Sequence, residues 1–270
     1  MKLLVLSDTH LHKPGWGTFG HDVFQRALEL AQAQGPIDVV LHSGDLVEPS
    51  VKQASLRDGL ELLATIPAKL HLWVAGNNDI EFLDWKRGVA NYARDLQEEA
   101  KPFGVHLLDA GPVTYQDVTF VGNFGFYDMS LWQPPKVSSP NYPNTLAEVA
   151  ENGNKWHREN MGGIVIPELF ELCQSTLHRH LAQVPAGNRV VVATHTVPHP
   201  DMVLYGSSPA YDFQNAWMGW DDRHRARSIS KTPNLIFQFC GHTHRSKRID
   251  RPEGPLINSS GRDQPYLHIF

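Results

Sequence analysis

Short apolar runs separated by longer segments with helical periodicity dominate this chain. Runs rich in Leu, Val and Ile predict buried strands at 3–7, 37–42, 69–75, 189–194 and 234–240. Apolar residues at helical spacing predict helices over 19–34, 51–65, 84–100 and 167–184. Because strands alternate with helices, the pattern indicates βαβ crossovers and an α/β fold.

A second set of strand-like runs does not fit that alternation and predicts a second sheet. Val113 to Tyr115 and Val118 to Gly122 are joined by Gln116 and Asp117, which is typical of a hairpin. Further strands are expected near the end of the chain, at 247–250, 255–258 and 265–269.

The segments 124–165 and 198–220 match neither pattern and are rich in Pro and aromatic residues. Loops of this length inside a compact domain are usually functional. One interpretation is a pair of lid-like insertions whose aromatic rings stack on a substrate. The other is that these rings pack on each other as a small separate core. Under the first interpretation the substrate-binding residues are Tyr127, Trp132, Tyr205 and Trp217.

Composition indicates a globular protein of 270 residues, with 41% hydrophobic and 20% charged residues. We expect a single domain over 1–270. The net charge of −5 argues against nonspecific nucleic-acid binding, which needs a broad basic surface. Cys173 and Cys240 form no metal-type cluster and are expected to be buried thiols. The first apolar run is too short for a secretory signal, and no run is long enough to span a membrane, so a cytoplasmic location is expected.

Metal-binding residue types follow several of the predicted strands. The segments are Asp8-Thr9-His10, Gly44-Asp45, Gly76-Asn77-Asn78-Asp79, His195 and Gly241-His242-Thr243-His244. Imidazole nitrogens with carboxylate or amide oxygens suit borderline divalent ions, and two such ions can clamp a phosphoryl group. Each segment alone is common by chance. A purely structural cluster of so many ionisable groups would carry a large desolvation cost.

In order, these segments read SDTH, GDLVE, GNND, ATH and GHTH, and they span most of the chain. The arrangement resembles the calcineurin-like metallophosphoesterase superfamily. The resemblance implies a four-layer αββα sandwich of two mixed β-sheets flanked by helices, and it implies two divalent metal ions.

By the same resemblance, one ion is held by Asp8, His10, Asp45 and His244, and the other by Asp45, Asn77, His195 and His242. Mn is the expected metal, with Fe, Zn or Ni as alternatives. In this superfamily a hydroxide that bridges the two ions attacks the phosphorus atom.

The third segment departs from the superfamily pattern, because Asn78 stands where relatives carry a His that the following Asp, here Asp79, orients. Asn78 and Asp79 are candidate catalytic residues, and Asn78 is also a candidate substrate-binding residue, since it can donate a hydrogen bond to the phosphate but cannot transfer a proton. This substitution favours a phosphodiesterase acting on a small organic or nucleotide phosphodiester. His199 is the candidate for a replacement acid, and the alternative is that it is an ordinary solvent-facing histidine. Glu48 is either an outer partner of the ligands or a surface carboxylate.

Three other functions stay open from the sequence. Two belong to the same superfamily: a phosphomonoesterase, which the absent His disfavours, and a nuclease, which the lack of a basic surface disfavours. The third is a noncatalytic metal-binding scaffold for protein interactions. The expected partner is a small substrate, with neither a membrane nor a stable nucleic-acid partner, and the oligomeric state is left open.

Overall fold

The apolar runs form the strands of two β-sheets in a computed structural model, which describes residues 1–52, 54–83, 89–135, 140–160, 165–206, 208–261 and 263–270. The strands are β1 (Lys2–Leu6), β2 (Ile37–His42), β3 (Ala68–Trp73), β4 (Val105–Leu107), β5 (Val113–Tyr115), β6 (Val118–Asn123), β7 (Arg189–Thr194), β8 (Leu235–Cys240), β9 (Lys247–Ile249), β10 (Leu256–Asn258) and β11 (Tyr266–Ile269). The helices are α1 (Phe19–Gln34), α2 (Leu56–Thr65), α3 (Asn77–Ile80), α4 (Tyr92–Ala100), α5 (Leu146–Asn160), α6 (Ile166–Leu181) and α7 (Pro209–Gln214).

Both sheets are mixed. The first has the strand order β11-β1-β2-β3-β4, in which β1 to β4 are parallel and β11 is antiparallel to β1. The second has the order β5-β6-β7-β8-β10-β9, with β5 and β9 antiparallel to their neighbours. Helices flank the two sheets, as the αββα arrangement predicts.

Successive side chains of a strand point to opposite faces of the sheet, so one strand contributes to two apolar cores. Leu3 and Val5 of β1 pack with Phe120 and Val191 of the second sheet, whereas Leu4 of the same strand joins the helix-facing core. Because successive side chains of a strand point to opposite faces, a strand buried on both faces is a continuous apolar run. Such runs are easy to recognise, so these strands could be predicted from the sequence.

Some elements differ from the sequence-based expectation. The short strand β4 was not predicted, and α2 begins at Leu56 rather than at residue 51. In the predicted helix 84–100, residues 84–88 lie outside the described residues, and α4 begins at Tyr92. The two insertions are not simple loops, since 124–165 contains α5 and 198–220 contains α7. The many Pro residues around these helices masked their periodicity.

No helix within the described ranges combines the length and the apolar character needed to cross a bilayer.

The buried carboxylate of Asp109 connects the ends of both sheets. It accepts hydrogen bonds from the backbone N–H of Ala75, which follows β3, at 3.0 Å and from that of Phe124, which follows β6, at 2.7 Å. The hydroxyl of Tyr92 on α4 donates to it at 2.8 Å. Burial raises the pKa of Asp109 to about 6 despite these donors.

Replacing Asp109 by Ala should destabilise the fold strongly, because three buried donors lose their acceptor. Each unsatisfied donor costs about 1–3 kcal/mol, so the free energy of unfolding should fall by at least about 3 kcal/mol. Denaturant unfolding measures the change. The control is Asp117→Ala, which removes an exposed ion pair with Arg189 and should cost less than about 1 kcal/mol. Equal losses in the two variants would contradict the role of Asp109.

Candidate metal centre

The predicted ligands gather where the strands of both sheets end. Asp8 and His10 follow β1, Asp45 follows β2, His195 follows β7, and His242 follows β8. In α/β sheets, ligands bind beyond the carboxyl ends of parallel strands. The structure therefore brings residues that are distant in sequence into one cluster.

Several of these residues have left-handed backbone conformations. The φ angles are 51° at Asp8, 41° at His10, 54° at Asp45, 71° at His242 and 53° at His244. Non-glycine residues rarely adopt positive φ, and they do so where the surrounding structure holds them, often at functional sites. The turns after β1, β2 and β8 thus direct their side chains inward at a conformational cost.

Two glycines of the motifs are required by close contact. Gly44 has a φ of 100°, and a Cβ at this position would overlap the ring of His195. A Cβ at Gly76 would overlap the carboxylate of Asp45. Only glycine lets these backbones approach the cluster so closely.

The cluster divides into two groups that share one carboxylate. Ligand-type atoms of Asp8, His10, Asp45 and His244 lie within 4.8 Å of one another, as do those of Asp45, His195 and His242. The carboxylate oxygens of Asp45 lie 3.4 Å from His10 Nε2 and 3.4 Å from His195 Nε2. Asp45 is therefore placed between the two groups, as a bridging ligand must be.

Asn77 lies beside the second group. Its Oδ1 lies 3.1 Å from His195 Nε2, and its Nδ2 donates to Asn78 Oδ1 at 2.6 Å. With Asn77, the residues that the sequence predicted as ligands lie together.

The orientation of the histidine rings is fixed from outside the cluster. His195 Nδ1 donates to the carbonyl of Ser43 at 2.9 Å, so its Nε2 faces the cluster. His242 Nε2 donates to the carbonyl of Trp217 at 2.9 Å, so its Nδ1 faces inward. Metal-binding histidines commonly donate their second ring nitrogen to a carbonyl or carboxylate in this way.

The donor set fits a pair of divalent cations. Ring nitrogens face each other at 3.0 Å between His10 and His244 and at 3.1 Å between His195 and His242. Asp8, Asp45 and His195 are at most 2% exposed. Charges buried at this density require cationic partners. Imidazole, carboxylate and amide donors together match borderline divalent ions.

The pKa shifts of the cluster residues also indicate a site that favours cations. Burial opposes ionisation of Asp45, but the charge and hydrogen bond of His195 outweigh it and lower the pKa of Asp45. For Asp8, burial is likewise outweighed by the hydrogen bond of His244, and its pKa is lowered. Burial would lower the pKa of His195, yet the charge of Asp45 raises it well above the usual range. For His242, burial and the charge of His195 both lower the pKa. The carboxylates are ionised, and cations are favoured between them.

Asp79 contacts the backbone of the cluster. Its carboxylate accepts hydrogen bonds from the N–H groups of Asp45 at 2.9 Å, Leu46 at 2.9 Å and Gly76 at 2.8 Å. Burial, followed by the charge of Asp45, raises its pKa to about 7. These contacts give Asp79 the geometry of a residue that positions the Asp45 loop, and its predicted catalytic role stays a prediction.

Asn78 lies beside the first group. Its Nδ2 lies 3.1 Å from His10 Nδ1 and donates to Glu48 Oε2 at 3.2 Å. Its backbone N–H donates to Asp45 Oδ1 at 2.9 Å. Glu48 also lies 3.5 Å from His10 Nδ1, and the hydrogen bond with His10 lowers its pKa. Glu48 is thus an outer partner of His10 rather than a surface carboxylate.

His199 lies apart from these contacts. Its Nδ1 accepts a hydrogen bond from the backbone N–H of Asp201 at 3.1 Å, and it is 9% exposed. Burial lowers its pKa, and the charges that act on it are those of Asp201, Arg223, Arg251 and Asp221. In the described part of the chain its contacts include no candidate ligand, and its role as an acid stays a prediction.

The four aromatic residues predicted to bind substrate have different surroundings. Tyr127 is 7% exposed, stacks on Phe126 at 4.0 Å, and bonds through its hydroxyl to His157 Nε2 at 2.8 Å. Trp217 packs edge-on against Tyr127 at 5.5 Å. Tyr205 packs on a small apolar cluster of Leu131, Val197, Met202, Val203, Cys240 and Leu256. Trp132 is half-buried. Tyr127 and Tyr205 thus match the packing alternative.

One cavity nevertheless lies within the insertions. It has a volume of about 250 Å³ and is lined by Tyr127, Asn152, Gly153, His157, Phe213 and Trp217. Of the predicted aromatic residues, Trp217 links this cavity to the cluster through its carbonyl contact with His242.

Two residues beside the cluster were not predicted from the sequence. The ring of Trp16 packs edge-on against His10 and His244, each at 5.1 Å. Glu81 follows α3, and although its side chain is partly exposed, burial of its carboxyl and the charges of Asp45 and Glu48 raise its pKa to about 7. Glu81 lies two residues after the GNND segment, which was a signal in the sequence, whereas no local pattern indicated Trp16, six residues after His10.

Comparison with known proteins assigns the family. The family model for calcineurin-like phosphoesterases matches residues 1–246. No curated protein sequence matches the chain.

Solved structures show the same fold. The phosphopantetheinyl hydrolase PptH of Mycobacterium tuberculosis has a TM-score of 0.66 at 18% identity, over 95% of this chain and 88% of that one. The protein TT1561 of Thermus thermophilus has a TM-score of 0.53 at 11% identity, over 97% of this chain and 89% of that one. With the family model matching most of its length, the chain belongs to the calcineurin-like phosphoesterase family, whose members are metal-dependent phosphoesterases.

Proposed function

We propose that this protein is a metal-dependent phosphodiesterase that hydrolyses a small organic or nucleotide phosphodiester. The observation that carries the proposal is the pair of ligand groups that share the Asp45 carboxylate. A bridging carboxylate between two sets of donors is the arrangement that holds two ions close enough to act on one phosphoryl group.

In this proposal Asp8, His10, Asp45 and His244 hold one ion, and Asp45, Asn77, His195 and His242 hold the other. Mn is the expected metal, with Fe, Zn or Ni as alternatives, since the donors are nitrogen and oxygen atoms without thiolates. Bound ions of this kind supply Lewis acidity and lower the pKa of water. The chain supplies the geometry: Ser43 and Trp217 orient His195 and His242, and Asp79 holds the Asp45 loop.

Asn78 supports a diesterase over a monoesterase. Its amide Nδ2 lies within hydrogen-bond distance of His10 and Glu48, at the rim of the first group. An amide can donate a hydrogen bond to a phosphoryl oxygen but cannot protonate a leaving oxygen. In this case the leaving group must depart without receiving a proton from residue 78.

The insertions 124–165 and 198–220 are proposed to form a lid within a single domain over 1–270. The support is the cavity beside Trp217 and the contact of the Trp217 carbonyl with His242. Packing of Tyr127 and Tyr205 gives this lid its own apolar support.

One substrate class for screening comes from a relative with the same fold. PptH is described as a phosphopantetheinyl hydrolase. A phosphopantetheinyl ester therefore belongs in the screen beside other small phosphodiesters.

Metal-loaded protein should hydrolyse bis(p-nitrophenyl) phosphate faster than p-nitrophenyl phosphate. Asp45→Asn should lower kcat/KM for the diester by at least about a hundredfold, because even outer partners of metal ligands are worth about 10–100-fold. The control is Asp250→Asn, which changes an exposed carboxylate paired with Arg248. Release of p-nitrophenol measures both. Preference for the monoester would favour a phosphomonoesterase, and metal binding without turnover would favour the scaffold.

Asn78→His should widen the range of leaving groups. A histidine at this position can donate a proton, so the gain in kcat should be larger for esters of poorly acidic alcohols than for p-nitrophenyl esters, up to about a hundredfold for the former. The slope of log kcat against leaving-group pKa measures the effect. An unchanged slope would show that residue 78 does not act on the leaving oxygen.

Metal binding should stabilise the protein and release protons. An ion at a hundredfold excess over its Kd adds about 2.7 kcal/mol to the free energy of unfolding. The pKa of His195 is raised, so the ring is protonated near neutral pH and must lose its proton to bind metal. Metal affinity should therefore increase as the pH rises above neutrality. Calorimetry in buffers of different ionisation enthalpy measures the protons released, and an affinity independent of pH would contradict the assignment of His195.

A further inference from the structure

A cavity of about 490 Å³ opens beside the first group of candidate ligands. Its lining consists of Gly15, Trp16, Phe19, Arg26, His244 and Ser260, and is here called the Trp16 pocket. Its volume falls in the range of about 300–1,000 Å³ that is typical of small-molecule sites. His244 belongs both to this lining and to the first ligand group. A molecule in the pocket would therefore reach the cluster directly.

The apolar part of the pocket is aromatic. Trp16 packs edge-on against Phe19, with ring centroids 5.1 Å apart and an interplanar angle of 83°. Edge-on contacts with His10 and His244 hold the indole in place. The ammonium of Lys13 lies over the indole, 4.4 Å from the ring centroid. A flat aromatic ring that takes the place of this flexible side chain would stack on the indole, as nucleobases stack on aromatic side chains in nucleic-acid complexes.

The polar part of the pocket is cationic. Arg26 is exposed on α1, and its Nε donates to the carbonyl of Gln264 at 3.1 Å. That contact fixes the direction of the guanidinium. Across the ranges that the structure describes, no carboxylate forms an ion pair with Arg26. A guanidinium with free N–H groups is suited to bidentate binding of a phosphate.

We propose that the Trp16 pocket binds an arm of the substrate that carries a flat aromatic ring and a second phosphate, one that is not cleaved. The preferred substrates are then nucleotide-type phosphodiesters with an additional phosphate on the same nucleoside. Trp16 stacks on the ring, and Arg26 selects the second phosphate. This inference rests on the proposed function, since it extends the same site.

Binding of a matched ligand pair tests the role of Arg26. Calorimetry on the metal-loaded protein compares adenosine 5′-monophosphate with adenosine 3′,5′-bisphosphate, because both ligands bring a 5′-phosphate to the metals. The bisphosphate should bind about tenfold more tightly to the native protein, the value expected for a charge-assisted hydrogen bond. Arg26→Gln should abolish this difference. Arg57→Gln removes an exposed helix arginine elsewhere, over the ring of Phe103, and should retain the difference.

A second variant tests the aromatic wall. Trp16→Leu should weaken binding of both adenosine ligands, yet leave the Kd of inorganic phosphate within about twofold, since phosphate alone makes no stacking contact. Equal weakening of all three ligands would show that Trp16 only supports the ligand histidines, and would overturn its assigned role.

Kinetics separate this inference from the proposed function. Thymidine 5′-(p-nitrophenyl phosphate) is compared with its 3′-phosphorylated form, and Arg26→Gln should raise KM for the latter alone. Turnover of both esters with no effect of Arg26 on KM or Kd would overturn the pocket and leave the phosphodiesterase intact. Arg26-dependent bisphosphate binding without hydrolysis of any diester would overturn the phosphodiesterase and retain the pocket as a binding site.

Discussion

The buried carboxylate of Asp45 is the centre on which the rest of the site depends. It is 2% exposed and lies 3.4 Å from a ring nitrogen of His10 and from one of His195, which follow strands of different sheets. A buried carboxylate without a cationic partner is strongly unfavourable. The two sheets therefore meet at a point that requires positive charge, and the turns that build this point adopt positive φ angles.

The hydrogen bonds around the cluster hold the Asp45 carboxylate at this point. The N–H groups of Asp45, Leu46 and Gly76 all donate to Asp79, so the loop that presents the Asp45 side chain is fixed from behind. A site held in this way loses little conformational entropy when it binds a cation, since its donors are already in place. Rigidity here comes from main-chain hydrogen bonds to one buried side chain.

The sequence predicted the elements that are buried on both faces and the residues that follow them. β1, β2, β7 and β8 are largely apolar runs and β3 ends in one, so their positions and the polar residues that follow them could be predicted from the sequence. Helix α5 and strand β4 were missed, because the first lies among prolines and the second has only three residues. Sequence patterns also do not show which aromatic rings contact each other. The contacts of Trp16 with His10 and His244 were therefore identified only from the fold.

The hydrogen bond from His242 to the carbonyl of Trp217 joins the insertion 198–220 to the cluster. Rotation of that backbone would remove the acceptor that orients the His242 ring. If His242 binds a cation as proposed, thermodynamic reciprocity requires that whatever orders the Trp217 segment strengthens this binding, and that the bound cation orders the segment. In the proposed site, the insertion 198–220 and the candidate ligands are therefore expected to become ordered together.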